Sequence, residues 1–166
     1  LEGPFNGTYM VPALNPDQLP LQQPYNTSPW HYAGTESVAA IPNAVVVDWV
    51  LVEIRDASNA TSATPATIVA RQAGFVLANG AIVGLDGSSD LDFNIAINNN
   101  VFVVVWHRNH LGVLSANPLS ETGGVYSYNF TIDEAQAHGG SAGHKEISSG
   151  VWGLIAGDGN ADGEIN

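Results

Sequence analysis

The sequence predicts an all-β chain, an antiparallel β-sandwich of about seven to nine strands. Three observations predict it. Two runs, AVVVDWVLVEIR at 44–55 and VFVVVWHR at 101–108, are apolar on both faces, as central strands covered twice must be. Turn-forming clusters of Gly, Asn, Asp and Ser recur every 8–14 residues. Helix signals are nearly absent.

The elements follow in order. Residues 1–11 read as a short strand broken by Gly3-Pro4 and Asn6-Gly7. Pro12, Pro16, Pro20, Pro24 and Pro29 then exclude regular helix and central strand. The segment 12–36 is expected to lie extended and partly polyproline-like over a surface, anchored by Leu14, Leu19, Leu21, Tyr25, Trp30 and Tyr32; a disordered linker is the other reading. Along 44–55, Val45, Val47, Trp49 and Leu51 are assigned to one face and Val46, Val50, Val52 and Ile54 to the other. Strands are expected at 67–77 and 81–85, joined at Asn79-Gly80, a hairpin turn signal. LDFNIAI at 91–97 alternates like a half-buried strand, 100–108 is the second central strand, and 124–132 alternates again. Asp133 is placed to cap one helical turn over 133–138, 139–150 reads as a flexible loop, and 151–157 leads into the C-terminal tail.

With 166 residues the chain is long enough to bury one real core. The expected division is a β-sandwich over 1–156 and a partial calcium loop over 157–166. Charged residues make up only 12%, against about 25% in an average domain, which points to a surface partly covered by other chains or built from Gly and Asn loops. The net charge is −12, with Arg55, Arg71, Arg108 and Lys145 as the only Lys and Arg residues. That balance excludes nucleic acid and disfavours an anionic membrane surface, both of which need clustered Lys and Arg. No apolar run approaches the ~20 residues of a membrane span. There is no cysteine, hence no disulfide framework or thiol chemistry. The chain lacks an initiator Met and reads as a processed piece of something longer.

The tail GDGNADGEIN carries the most specific chemical signal. Asp158, Asn160, Asp162, Glu164 and Asn166 place oxygens at alternate positions around Gly163. Calcium takes six to eight hard oxygen ligands, and such spacing in a tight turn converges them on one point. Asp158, Asn160 and Asp162 are expected to ligate through side chains, Glu164 through its carbonyl, and Asn166 through a water; the acid that closes such a loop is absent. An acidic Gly-rich tail is the plain alternative. Asp86, Asp90 and Asp92 form a second, weaker candidate for a cation, or simply a turn. His107 and His110 flank Arg108 in HRNH; they are expected to be a structural polar cluster, with Arg108 pairing a carboxylate, rather than a transition-metal site. No hydrolase motif is present, and a catalytic role is not expected. Asn6, Asn59 and Asn129 begin glycosylation sequons, and a fourth at Asn26 is weakened by Pro29.

The segments VVVDWVLVEIRDA (45–57), ARQAGFVLANGAIVGLDGSS (70–89) and FVVVWHRNHLGVLSA (102–116) resemble a domain found near the C-terminus of large secreted or surface-attached proteins of Bacteroidota. LPLQQPYNTSPWHYAGTESV (19–38) and GVWGLIAGDGNADG (150–163) extend the resemblance over nearly the whole chain. It implies a core similar to transthyretin-like or carboxypeptidase-regulatory-like sandwiches, an extracellular, cell-surface location, and a calcium loop continuing into dockerin-like repeats. It also implies a first strand that begins upstream of Leu1, and it carries no established activity.

Together these features give a non-catalytic extracellular structural module that binds Ca²⁺ and self-associates into an assembly or fibre. An unfinished sheet edge at Leu1 and a calcium-stapled tail would make that assembly head-to-tail. The alternative is a carbohydrate- or surface-binding module using Trp30, Trp106 or Trp152 as stacking platforms.

Overall fold

A computed structural model describes residues 1–159, 162, 164 and 165. It is all-β and antiparallel, with nine strands among these residues: β1 (Val46–Ala57), β2 (Ile68–Leu77), β3 (Ile82–Val83), β4 (Asn100–His107), β5 (His110–Leu114), β6 (Ser120–Thr122), β7 (Val125–Ser127), β8 (Lys145–Ser148) and β9 (Val151–Gly153). One five-stranded sheet, in the order β3-β2-β1-β4-β5, forms the centre, and β6-β7 and β8-β9 are separate hairpins. The two runs that are apolar on both faces, β1 and β4, are both interior strands. No helix is long and apolar enough to cross a membrane among the described residues.

The apolar assignment along β1 needs one correction. Partners run Val46↔Leu77 and then Asp48↔Val76, so one extra residue is inserted at the start of the strand. A single inserted residue flips the alternation. Val46 therefore packs with Trp49 and Leu51, Val47 packs with Val50, Val52 and Ile54, and Val45 is exposed.

The Trp49 face is covered by the proline-rich segment. Tyr25 is fully buried and its hydroxyl donates to the Trp49 carbonyl at 2.8 Å. The Trp49 indole N–H donates to the Pro20 carbonyl at 2.7 Å, and its ring lies 4.2 Å from that of Phe75. Leu19 is buried, and Trp30 and Tyr32 pack beside it, whereas Leu14 and Leu21 are exposed. The segment is thus a cover and not a linker. It is also less extended than the prolines imply, since turns occupy most of 13–30.

The opposite face, Val50, Val52, Ile54, Val101, Val103 and Val105, meets Leu91, Phe93, Ile95 and Ile97 together with Leu119, Tyr128 and Phe130. Here three expectations are corrected. The alternation over 91–97 is present, with odd positions half-buried and even ones exposed, but the segment pairs with no strand. The strand expected over 124–132 is limited to Val125–Ser127. Residues 1–11 form a loop closed by a single bridge, Phe5↔Met10, instead of a strand. Elsewhere Asp133 caps a 3-10 turn at Glu134–Gln136 through the Ala135 N–H at 2.8 Å, and the expected loop 139–150 contains β8.

Candidate metal centre

The tail is seated where three remote segments meet. Leu111 N–H donates to the Ile155 carbonyl at 2.9 Å and Gly157 N–H to the Asn109 carbonyl at 3.1 Å, so 155–157 runs beside the β4–β5 turn. Glu2 joins them from the other side: its N–H donates to the Leu154 carbonyl at 3.1 Å, and its carboxylate accepts from Ala156 N–H at 2.8 Å and pairs with Lys145. Those two bonds, the Lys145 one first, hold the Glu2 carboxyl below the usual range. Gly157 has a φ of +111°, a conformation open to glycine and strained for other residues.

Asp158 follows directly and is only 1% exposed. Its Oδ1 accepts from Asp162 N–H at 3.1 Å, and Asp162 Oδ1 accepts from Glu164 N–H at 2.9 Å. Each of these bonds runs from a backbone N–H to the carboxylate of an earlier acid in the tail. The donors are hard oxygens, which suits calcium and not a thiophilic metal. Asp162 and Glu164 are exposed, and Asn160 and Asn166 lie outside the described residues. Among the described residues no three acidic, His or Cys side chains converge as a ready-made cation cage. Asp158 and Asp162 would hold the ion, with further oxygens completing its shell.

The turn beneath the tail is a buried polar network. His107 Nε2 lies 3.2 Å from Asp48 Oδ2, and Arg108 Nη2 donates to Asp48 Oδ1 at 2.6 Å. His110 Nδ1 meets His107 Nδ1 at 2.8 Å, and His110 Nε2 meets the Glu2 carbonyl at 2.8 Å. All four ring nitrogens thereby lie within hydrogen-bond distance of protein groups. Burial opposes the Asp48 carboxylate, but the hydrogen bond from His107 and the charge of Arg108 prevail and hold its pKa below the ordinary value.

Three of these contacts, ring to Asp48, ring to ring and ring to Glu2, each need a ring proton. Two neutral imidazoles supply two protons. A third proton would satisfy every contact, yet burial lowers the His110 pKa from 6.5 to about 4. The sign follows: in the window from 6.5 down to about 4 the unfolded chain binds a proton that the folded chain resists, so stability falls as pH falls through it. We expect the thermal midpoint to drop over that window and His110→Gln to flatten the dependence. Equal slopes for both proteins would show that His110 does not set it.

Asp86, Asp90 and Asp92 are not gathered. Asp86 accepts from Ser88 N–H and Ser89 N–H, both at 2.9 Å, and from the Ser89 hydroxyl at 2.7 Å. It closes its own turn, and those bonds hold its carboxyl low. Asp90 and Asp92 are exposed on the rim of a separate cavity. Trp30, Trp106 and Trp152 are all half-buried, Trp30 edge-on to Tyr25 with ring centres 5.1 Å apart.

Sequence reasoning missed Glu2 and Asp48. It also missed a second network under the proline-rich cover, where Glu53 pairs with Arg55 at 2.6 Å and with Arg71 at 2.8 Å. The available signal was one acid inside each apolar stretch of VVVDWVLVE, since a buried acid requires partners. No family model, no curated protein and no solved structure matches this chain.

Proposed function

We propose that the chain is a non-catalytic extracellular structural module whose C-terminal loop takes up Ca²⁺ and thereby fixes the tail for self-association. One observation carries this: Asp158 is buried and bonded to Asp162 N–H at the point where the tail is pinned to Asn109 and Glu2. An ion held there would couple the loop to the body of the domain. The low charge content supports a surface that other subunits cover.

Calorimetric titration with CaCl₂ tests the site. Asp158→Ala and Asp162→Ala are each expected to weaken calcium binding by about tenfold or more, since each removes one carboxylate from a small oxygen set. Unchanged affinity in both variants removes the site. Size-exclusion chromatography and electron microscopy with and without EGTA test the assembly; particles intact after calcium removal would leave the ion a purely local role.

A further inference from the structure

Between the apolar face of the central sheet and its cover lies a cavity of about 970 Å³. Val52, Ile54 and Val103 line its floor, and Leu91–Ile97 and Val125–Phe130 line its two sides. Its rim includes exposed residues, Asp90 and Asp92 on one side and Tyr126 on the other. Volume on this scale is at the upper end of what ligand sites enclose, about 300–1,000 Å³, whereas an ordinary interior is close-packed.

The wall at 91–97 says what kind of molecule fits. The segment already has the side-chain arrangement of a strand, with Leu91, Phe93, Ile95 and Ile97 turned to the sheet and Asp92, Asn94 and Ala96 outward. Among the described residues its only backbone donation is Ile95 N–H to the Phe93 carbonyl at 3.0 Å. The facing wall, after β7 ends at Ser127, likewise lies outside any strand ladder, with the Phe130 carbonyl meeting His144 Nε2 at 3.2 Å. A row of unpaired N–H and C=O groups beside an apolar trough is a template for strand addition. An alkyl ligand would fill the trough and leave those groups without partners.

We infer that this groove accepts an extended segment of a different polypeptide, inserted between 91–97 and 125–130 as a strand that completes the second layer. Its side chains would alternate, apolar ones filling the cavity and polar ones facing out. The acidic rim at Asp90 and Asp92 and the net charge of −12 select neutral or basic outward residues. A second copy of this chain is the poorer donor. It brings the same negative charge, and its strands of the right pattern, β1 and β4, are interior to its own sheet. This inference is independent of the calcium site, which lies on the tail.

The test uses the whole chain and a blocked nonapeptide of alternating Val and Thr with Lys at both ends. The expected result is saturable binding in calorimetry and roughly tenfold or greater slowing of amide exchange at 91–97. The same peptide with N-methylated backbone on one edge should bind far more weakly, because its ladder donors are gone. Val103→Trp, which fills the floor, and Ala96→Pro, which removes one edge N–H at an exposed position, should each abolish binding while the circular dichroism spectrum stays native. Equal binding of both peptides, or binding only of the neutral dye N-phenyl-1-naphthylamine, would make the cavity an apolar-ligand site and overturn strand addition. Absence of binding by the peptides and the dye would overturn it too, as would concentration-dependent dimerisation that protects 91–97 without any peptide.

Discussion

Replacing Glu53 with Ala is expected to destabilise the fold by about 3–5 kcal/mol, the cost of stranding a buried charge whose partner has been removed. Glu53 is 2% exposed. One carboxylate oxygen takes Arg55 at 2.6 Å, and the other takes Arg71 Nε at 2.8 Å. Arg55 is the group that suffers: it is buried, and without Glu53 its remaining bond is to the Ala63 carbonyl at 2.5 Å. Arg71 is nearly a third exposed and can turn to water, so it adds little to the loss. Glu53→Gln, which keeps one acceptor and the shape, should cost less than Ala. The double variant Glu53→Leu with Arg55→Met should recover much of the stability, because removing both charges also removes their desolvation cost. Urea unfolding measures all three. A Glu53→Ala effect under about 1 kcal/mol would place the network among ordinary surface pairs.

The reason this network was illegible in the sequence is instructive beside what was legible. The apolar runs at β1 and β4 announce central strands because only strands covered on both sides repeat Val, Ile and Leu without alternation. Asn79-Gly80 fixes the β2–β3 turn by local chemistry alone. Glu53, by contrast, acquires its meaning from Arg71, which stands opposite it on β2 in the register Glu53↔Arg71. That register also depends on an insertion at Val46–Asp48 that no residue type marks. The segment 91–97 is a further case: its side-chain period reads as a strand, and its side chains obey that period, but pairing is a property of neighbours that the period does not encode. In the tail, spacing alone drew attention to Asp158 and Asp162. The anchors Glu2 and Asn109 lie far away in the chain and carry no signal of their own.

Asp48→Ala is expected to cost about 2–3 kcal/mol, toward the low end for a broken buried pair because Arg108 can partly reach water. The Asp48 side chain is 5% exposed and serves His107 and Arg108 at once. Its loss leaves His107 Nε2, in a residue that is 3% exposed, facing a void. The acid dependence changes as well. Because the folded Asp48 pKa lies below the ordinary value, its contribution is present above that value and disappears as pH falls through the folded pKa, so the variant should lose stability less steeply in acid. A second readout separates this role from packing alone. The same turn presents the Asn109 carbonyl to Gly157 N–H and His110 to the carbonyl of Glu2, which itself bonds to the tail, so it supplies two of the contacts around the tail. Asp48→Ala should therefore weaken calcium binding several-fold, although Asp48 is not among the proposed ligands, while Glu53→Ala, measured well below its unfolding transition, leaves calcium affinity unchanged. Equal calcium affinity in the Asp48 variant and the parent would mean that the tail holds its ion without help from the turn, and that the His107–His110 pair serves the sheet alone.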